Sequence, residues 1–272
     1  MFHVKQFLET ALEAAHSAGA VLLEKFAQPR QVTVKGYRDV ATDADTAAET
    51  TALAIIRARF PDHAILSEEA GAMDSGSPYV WMVDPLDGTT NYSRRLPAFA
   101  VSVAVTRDGE PLAGVVHDPL RGHTFAAQRG GGATCNGSPI AVSPTARLCD
   151  ALIANDWAHA DAEREILLRW LAALAPRCRT VRGMGVASLG LAYVAAGWLD
   201  LYLARALFPW DVAAGSLLVA EAGGRITGPD GEPWRIGQPA LLATNGMLHE
   251  EANQRIGESA IAQSKNKRPE RL

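Results

Sequence analysis

Two carboxylates and a pair of threonines follow one apolar stretch of the chain. The run from Tyr79 to Val83 predicts a buried strand, and Asp84 and Asp87 come directly after it. The next residues, Gly88-Thr89-Thr90, predict a turn that opens a helix. Carboxylate oxygens are hard ligands that suit a divalent cation, and the free N–H groups at a helix start can bind a phosphate. The segment therefore indicates a site for a metal ion and a phosphate group.

Two further carboxylates could complete such a site. Glu68 follows a short predicted strand from His63 to Leu66, and Asp211 follows Pro209-Trp210 at the start of a predicted helix. Four acidic groups in one place would repel each other, and two divalent cations about 4 Å apart would neutralise them while clamping the oxygens of a phosphoryl transfer. Taken singly, each has a structural explanation: a helix cap for Asp211, a solvated loop for Glu68, and a turn for Asp84 to Gly88.

Composition and charge argue against several classes of function. The chain has 272 residues, of which 48% are hydrophobic and 21% charged, and its net charge is −4. These values are typical of a soluble globular protein and do not favour broad binding to nucleic acid or to anionic membranes. Cys135, Cys149 and Cys178 have no metal-binding spacing and indicate free thiols. Because no signal peptide or membrane span is predicted, a cytoplasmic location is expected.

The elements that must position these carboxylates fall into two predicted lobes. Residues 1–143 are expected to form an α+β lobe with two N-terminal helices and an antiparallel meander from Ala98 to Ile140. Thr42 or Asp43 is the predicted cap of the second helix. Residues 144–272 alternate between predicted strands and helices, which favours an α/β lobe. Three of the four carboxylates fall in the first lobe, and Asp211 falls in the second.

Three segments, in this order along the chain, resemble the inositol monophosphatase family of lithium-sensitive, magnesium-dependent phosphomonoesterases. They are Ser67-Glu68-Glu69, the nine residues from Asp84 to Tyr92, and Pro209 to Gly215 with Glu221 to Gly224 behind it. The resemblance spans nearly the whole chain. It implies an α/β layered sandwich of the sugar-phosphatase type, with layers in the order α-β-α-β-α, and a homodimer. In that fold the first lobe would carry most of the metal ligands, and the second would supply Asp211 and the substrate wall. The resemblance also implies hydrolysis of a small phosphate monoester by metal-activated water, with inositol monophosphate as the first expected substrate.

The resemblance further implies two Mg²⁺ sites. Glu68, Asp84 and the Leu86 carbonyl would hold the first cation. Asp84, Asp87 and Asp211 would hold the second, which Li⁺ is expected to replace. A third, weaker Mg²⁺ is expected near Glu68.

Catalytic and substrate roles are carried over in the same way. Glu68 and Thr89 would orient the attacking water, and Asp45 resembles the residue that pairs with the threonine. The alternative role for Asp45 is to stabilise the first turn of a helix through the helix dipole. The substrate contacts expected from the resemblance are Gly88, Thr89, Thr90, Gly185, Ala187 and Arg205.

One position departs from the family pattern. Many inositol monophosphatases carry a substrate-binding glutamate seven residues before the helix aspartate, and Ala204 stands there in this chain. Its neighbour Arg205 could instead bind a second anionic group. The substrate therefore stays open between inositol monophosphate and 3′-phosphoadenosine phosphate, fructose 1,6-bisphosphate, histidinol phosphate or NADP. A regulatory family member that binds RNA polymerase is a further alternative, and direct contact with nucleic acid or membrane is not expected.

Overall fold

The computed structural model describes residues 2–28 and 31–266. Within these ranges there are seven α-helices. They are α1 (Phe2–Phe26), α2 (Asp43–Arg59), α3 (Thr89–Ser93), α4 (Asp161–Leu174), α5 (Ala187–Ala195), α6 (Pro209–Glu221) and α7 (His249–Asn266). None of the helices in this part of the chain combines the length and the apolar character needed to cross a bilayer.

The strands form a hairpin and two larger sheets. The hairpin is made of β1 (Val32–Gly36) and β2 (Asp39–Thr42). The eight-stranded sheet contains β3 (Ala64–Ser67), β4 (Gly71–Met73), β5 (Tyr79–Asp87), β6 (Ala100–Arg107), β7 (Glu110–Asp118), β8 (His123–Gln128), β9 (Ala133–Cys135) and β10 (Ser138–Ile140). The five-stranded sheet contains β11 (Leu152–Asn155), β12 (Thr180–Gly183), β13 (Leu201–Arg205), β14 (Arg225–Thr227) and β15 (Ala240–Thr244).

The strand order brings the ends of two strands together. The larger sheet runs in the order β10-β9-β8-β7-β6-β5-β3-β4. From β5 to β10 its neighbours are antiparallel, which confirms the predicted meander, whereas β3 and β5 are parallel. The carboxyl ends of β3 and β5 therefore lie side by side. The smaller sheet runs in the order β12-β11-β13-β15-β14.

Three layers of helices alternate with the two sheets. Apolar residues of α1 and α2 pack on one face of the larger sheet, around the buried Trp81. Helices α5 and α6 lie between the sheets and share a core with both, whereas α4 packs with α7 on the outer face of the smaller sheet around Trp170. This confirms the α-β-α-β-α sandwich. Each large apolar side chain buried in these layers contributes about 1.5 to 3 kcal/mol.

Close packing brings α6 against the larger sheet. A Cβ atom at Gly114 of β7 would lie 2.8 Å from the Cα of Ala214 on α6, so only glycine allows this approach. The Ser102 hydroxyl of β6 donates a 3.0 Å hydrogen bond to the Trp210 carbonyl at the start of α6. These contacts hold the first turn of α6 beside the carboxyl end of β5.

The predicted end of the fifth strand was wrong. Strand β5 does not stop at Val83 but continues to Asp87. Pairing with β6 is regular up to Asp84 and resumes at Asp87, with an irregularity between them. Pro85 lies in that irregular stretch, and it has no N–H group to give to a ladder. Asp84 and Asp87 therefore belong to the carboxyl end of β5 itself rather than to a loop beyond the strand.

Candidate active site

Asp84 and Asp87 are buried at the carboxyl end of β5. Asp84 is 2% exposed and Asp87 9% exposed. The Leu86 N–H donates a 3.0 Å hydrogen bond to Oδ1 of Asp84, and this bond orients the carboxylate within the irregular stretch. Two carboxylates that are buried so near each other require either protons or cations as partners.

Glu68 lies directly after β3, beside β5. Parallel pairing matches Ser67 with Val83, and the Glu68 N–H donates a 3.2 Å hydrogen bond to the Val83 carbonyl. The Glu68 side chain is 22% exposed, and its carboxylate lies 3.4 Å from the ammonium group of Lys35 on the hairpin. Lys35 also forms an ion pair with Glu69. The fold thus brings Glu68 next to Asp84 from a separate strand.

Glu49 of α2 holds the loop that carries Glu68. Its side chain is 5% exposed, and Oε1 accepts a hydrogen bond from the Ser67 hydroxyl. The same oxygen accepts hydrogen bonds from the N–H groups of Glu69 at 3.0 Å and Ala70 at 3.1 Å. One buried carboxylate therefore fixes the backbone on both sides of Glu68.

Asp211 reaches the site from the first turn of α6. Its Oδ2 accepts a 2.8 Å hydrogen bond from the Phe208 N–H, so it also caps the helix. Burial raises the pKa of the Asp211 carboxyl well above its usual range, and the negative charge of Asp87 raises it further. Capping and membership of the acidic cluster are thus compatible roles.

The four carboxylates Glu68, Asp84, Asp87 and Asp211 are electrostatic neighbours. Burial, followed by the charges of the other three, raises the pKa of Asp84 well above its usual range. Burial raises the pKa of Glu68 to about 7 although the charge of Lys35 lowers it. Burial likewise raises the pKa of Asp87 to about 6 although its hydrogen bonds oppose the change. The folded protein therefore disfavours four negative charges here unless a cation is present.

This donor set fits divalent cations. All four side chains supply carboxylate oxygens, which are the ligands that Mg²⁺ prefers, and a cation would relieve the repulsion that raises their pKa values. Within residues 2–28 and 31–266, however, no three acidic, histidine or cysteine side chains form a ready-made metal cage. Each carboxylate is instead held by local hydrogen bonds or by Lys35, so we expect the side chains to close in on an incoming ion.

Asp45 and Thr89 meet across the site. The Thr89 hydroxyl lies 3.0 Å from Oδ1 of Asp45 and 3.0 Å from the Leu86 carbonyl. The other oxygen of Asp45 accepts hydrogen bonds from the backbone N–H of Thr42 at 2.7 Å and from its hydroxyl at 2.6 Å. Thr42 is the helix cap, so Asp45 completes a capping box and also contacts Thr89. Both of the roles weighed for Asp45 are geometrically available.

Gly88 packs tightly at the start of α3. Its φ is +94°, and a Cβ atom there would lie 2.9 Å from Cγ2 of Val186 and 3.1 Å from the Gly185 carbonyl oxygen. A side chain is therefore excluded both by conformation and by space. Thr89 is half-buried and Thr90 exposed beside it. The turn thus presents backbone next to the segment that precedes α5.

Two carboxylates fix the segment at the start of α5. Asp87 accepts hydrogen bonds from the N–H groups of Ala187 at 3.2 Å and Ser188 at 2.6 Å. Asp156, which follows β11 and is 7% exposed, accepts one from the Gly185 N–H and a 2.8 Å bond from the Tyr202 hydroxyl. Burial raises the pKa of Asp156 to about 7. Gly185 and Ala187 are thereby held beside Asp87.

Asn91 adds a further link to the same segment. Its Nδ2 donates hydrogen bonds to the carbonyls of Met184 at 3.2 Å and Gly185 at 3.3 Å. Residues of α3 and of the loop before α5 therefore form one connected wall. This wall is the place that the sequence predicts for substrate contacts.

Arg205 is the predicted site residue that the structure does not bring to this group. It forms an ion pair with Glu163 of α4, and its guanidinium lies 5.1 Å from the ring centroid of Trp170. Successive residues of a strand face opposite sides. Leu203 and Arg205 of β13 therefore face the outer helices, whereas the fully buried Ala204 faces the core shared with α5 and α6. Nothing in this geometry supports binding of a second substrate anion by Arg205.

Sequence reasoning missed Glu49, Asp156 and Lys35. Glu49 lies on the buried face of α2, four residues after Asp45, and a charge on a helix's apolar face is a detectable signal. Asp156 follows a short apolar strand, as Asp84 does, which is a weaker signal. Lys35 lies in an exposed hairpin strand, and no local pattern links it to Glu68.

The sequence of this chain is similar to a known protein family and to several of its members. The family model described as "Inositol monophosphatase family" matches residues 3–262. The inositol-1-monophosphatase of a Synechocystis strain is 38% identical over 257 residues, with 93% of this chain and 89% of the relative covered. The Nus factor SuhB of Escherichia coli K12 is 40% identical over 224 residues, with 81% and 84% covered.

A solved structure agrees with the fold as well as with the sequence. The inositol monophosphatase from Anabaena superposes with a TM-score of 0.85 at 39% identity, covering 94% of this chain and 97% of the other. The order of the acidic segments, the layered sandwich and these matches over nearly the full length agree. The chain belongs to the inositol monophosphatase family.

Proposed function

We propose that the protein is a Mg²⁺-dependent phosphatase of a small phosphate monoester, with inositol monophosphate as the first candidate substrate. The observation that carries the proposal is the set of four neighbouring carboxylates whose pKa values are raised first by burial and, for Asp84 and Asp211, also by the charges of other members of the set. Such an arrangement is costly unless it binds cations. Family membership supports phosphatase chemistry at this same place.

The proposed ligand sets follow from the neighbours described above. Glu68, Asp84 and the Leu86 carbonyl would hold one Mg²⁺, and Asp84, Asp87 and Asp211 a second; a third, weaker ion would bind near Glu68. When bound, these ions would lower the pKa of water and neutralise charge on the phosphoryl group. The protein's own contribution is position and electrostatics, which is what phosphoryl transfer needs most.

Thr89 and Asp45 are proposed to orient the attacking water. If the Thr89 hydroxyl donates its only proton to a hydrogen bond with Asp45, its oxygen lone pairs are free to accept a hydrogen bond from water. Glu68 would accept a hydrogen bond from the other O–H of the same water. Because Asp45 is itself held by two hydrogen bonds from Thr42, the direction of the threonine proton would be set before substrate binds.

Substrate would lie along the wall formed by α3 and the start of α5. The N–H groups of Gly88 and Thr89 would bind phosphate oxygens, with Thr90 beside them. Gly185 and Ala187 would contact the rest of the molecule. The fully buried Ala204 offers no hydrogen-bond acceptor for substrate hydroxyls, so we expect weaker discrimination among polyol phosphates than a glutamate there would give. Arg205 is left out of the proposed contacts.

A substrate panel tests this proposal. Phosphate release would be measured from inositol 1-phosphate and from the bisphosphate, nucleotide and histidinol phosphate candidates, each with Mg²⁺ and with a chelator. We expect Mg²⁺-dependent turnover, and loss of it in Asp87→Asn, with Arg205→Gln as the matched control that retains it. No Mg²⁺-dependent release from any of these monoesters would contradict the phosphatase proposal. A preference of more than about tenfold for a bisphosphate would replace inositol monophosphate as the substrate.

Three further properties are proposed on the same basis. Li⁺ should inhibit turnover by competing at the second cation site. The protein is expected to act as a homodimer. The three cysteines are unpaired, as is typical of a reducing compartment, and we propose the cytoplasm as the place of action.

A regulatory role is the second candidate, because similar proteins from Pseudomonas aeruginosa and Escherichia coli carry the name Nus factor at 40% identity. The discriminating experiment expresses the wild type and Asp87→Asn in a bacterium that lacks its own such factor. Rescue by both would indicate a role that does not need hydrolysis. Rescue by the wild type alone, with Asp87→Asn folded, would tie the cellular role to the phosphatase site.

A further inference from the structure

A pocket outside the proposed active site lies near the end of α6 that is remote from Asp211. It encloses about 340 Å³ between the β6–β7 turn, α6 and the segment before β15, and we call it the distal pocket. Its walls include Glu110, Leu217, Trp234, Arg235 and Ile236. The volume lies within the range of small-molecule sites. No proposed catalytic or metal-binding residue lines it.

The distal pocket is spatially separate from the carboxylate cluster. The α6 residues that line it are Ser216, Leu217 and Ala220, which follow Asp211 by five to nine residues, or about 8 to 14 Å along a helix axis. The proposed active site faces the start of α6, whereas the distal pocket faces its last turns. A ligand here would not compete directly with substrate.

The available charge in the distal pocket is positive. The Arg129 guanidinium is not available to a ligand, because it donates 2.8 Å hydrogen bonds to the Pro111 carbonyl and to Glu110. That pairing neutralises Glu110, and the other carboxylate of the lining, Asp108, lies 3.5 Å from Nε of Arg107. The Arg235 side chain, by contrast, is exposed and makes no hydrogen bond or ion pair with the residues that the structure describes. A free guanidinium favours a carboxylate, sulfonate or phosphate group.

Apolar surface lines much of the pocket. The side chains of Leu217, Ile226 and Ile236 supply it, together with the indole of Trp234. The Trp234 Nε1 is buried and finds no partner within the described parts of the chain. Because that nitrogen is closed to solvent, the pocket combines one open donor, Arg235, with an apolar floor.

We infer that the distal pocket binds a small amphipathic anion, that is, a flat apolar body carrying one acidic group. The acidic group would pair with Arg235, and the apolar body would lie against Leu217 and the indole of Trp234. The inference does not depend on the proposed phosphatase activity, because none of these residues takes part in it.

The test uses 1-anilinonaphthalene-8-sulfonate, a fluorescent amphipathic anion, and its neutral analogue N-phenyl-1-naphthylamine. We expect saturable binding of one molecule of the anion per chain. Arg235→Gln should weaken that binding by about tenfold or more while leaving the neutral analogue unchanged. Ala220→Trp, at an exposed helix position, should fill the pocket and abolish binding of both.

Arg225→Gln is the matched control, because Arg225 is exposed on neighbouring β14 and pairs with Glu250 outside the pocket. It should bind both probes as the wild type does. Absence of saturable binding of the anion, or equal affinity in Arg235→Gln and the wild type, would overturn the assignment. Since Arg235 is exposed, this variant should fold normally, and it decides the question even where Ala220→Trp does not fold.

Discussion

At the scale of single residues, the site depends on carboxylates that accept hydrogen bonds from backbone N–H groups and that are also the proposed cation ligands. Asp87 is the clearest case, because it lies in the acidic cluster and also accepts hydrogen bonds from Ala187 and Ser188. Asp156 holds the same segment from the other sheet through Gly185. A change at Asp156 should therefore reach the cluster without touching it.

Asp156→Asn should lower kcat/KM by about tenfold, because the amide cannot accept from both Gly185 and Tyr202 as the carboxylate does. The loss should appear together with weaker Mg²⁺ binding, measured by titration calorimetry. Tyr202→Phe is the matched control, since it removes one hydroxyl and leaves the Gly185 bond in place. Wild-type Mg²⁺ affinity in Asp156→Asn would show that the segment holds its position without this carboxylate.

Gly88→Ala tests the close approach of α3 to the start of α5. The new Cβ would lie 2.9 Å from Val186 Cγ2 and 3.1 Å from the Gly185 carbonyl oxygen. Gly137→Ala is the control, because Gly137 has a φ of +78° but a Cβ added there would meet nothing within 4 Å. We expect Gly88→Ala to lower the free energy of unfolding by about 1 to 3 kcal/mol more than the control does. Equal urea midpoints for the two variants would argue against the tight contact.

At the scale of elements, α2 and the parallel pair β3 and β5 set the position of Glu68. Parallel pairing aligns the carboxyl ends of the two strands. Helix α2 then supplies Asp45 to Thr89 and Glu49 to the loop after β3. One helix face thereby supports both sides of the proposed water site.

Glu49→Ala should disturb the loop that carries Glu68. The substitution leaves the N–H groups of Glu69 and Ala70 without their acceptor, so the free energy of unfolding should fall by at least about 2 kcal/mol. Mg²⁺ affinity should fall as well, because Glu68 loses its fixed backbone. Thr50→Ala, at an exposed position of the same helix, is the control. Unchanged Mg²⁺ binding in a folded Glu49→Ala protein would show that Glu68 keeps its place without Glu49.

Local signals predicted many elements, and tertiary contacts decided the rest. Thr42 was recognisable as a cap because capping is a property of a few neighbouring residues. The continuation of β5 to Asp87 was not, because it depends on pairing with β6 after the irregular stretch. The direction of Arg205 depends on which face of β13 meets α5 and α6, and strand alternation alone does not reveal that. The clamps made by Glu49 and Asp156 join residues 20 or more positions apart.

At the scale of the whole molecule, two sheets and the helices between them bring four separate acidic side chains together. Three of the four carboxylates lie at the carboxyl ends of β3 and β5 in the larger sheet, and α6 adds Asp211 from the layer between the sheets. In the metal-free protein, the burial of these four carboxylates close together lowers the free energy of unfolding. Its stability should therefore depend on pH and on divalent cations together.

The stabilisation by Mg²⁺ should grow as the pH rises. Raised pKa values, about 6 for Asp87 and about 7 for Glu68, mean that the folded metal-free protein holds protons that the unfolded chain has released. These groups therefore make the metal-free protein less stable as the pH rises from about 4 to about 7. Mg²⁺ bound at the proposed sites would compete with those protons.

Thermal unfolding with Mg²⁺ and with a chelator measures this effect. The increase in Tm caused by Mg²⁺ should be larger near pH 7.5 than near pH 5.5. Asp87→Asn should reduce the pH dependence of that increase. A Mg²⁺ effect that is equal at both pH values would contradict proton competition at the cluster.

The most direct test of the proposed metal centre is an anomalous difference map from a crystal soaked in Mn²⁺, which replaces Mg²⁺ and scatters anomalously. We expect two peaks about 4 Å apart, both within coordinating distance of Asp84, with Asp87 and Asp211 turned toward the second. A fully occupied soak in which Asp84 contacts no peak, and in which Asp211 keeps only its bond to Phe208, would contradict a metal centre built by these four carboxylates.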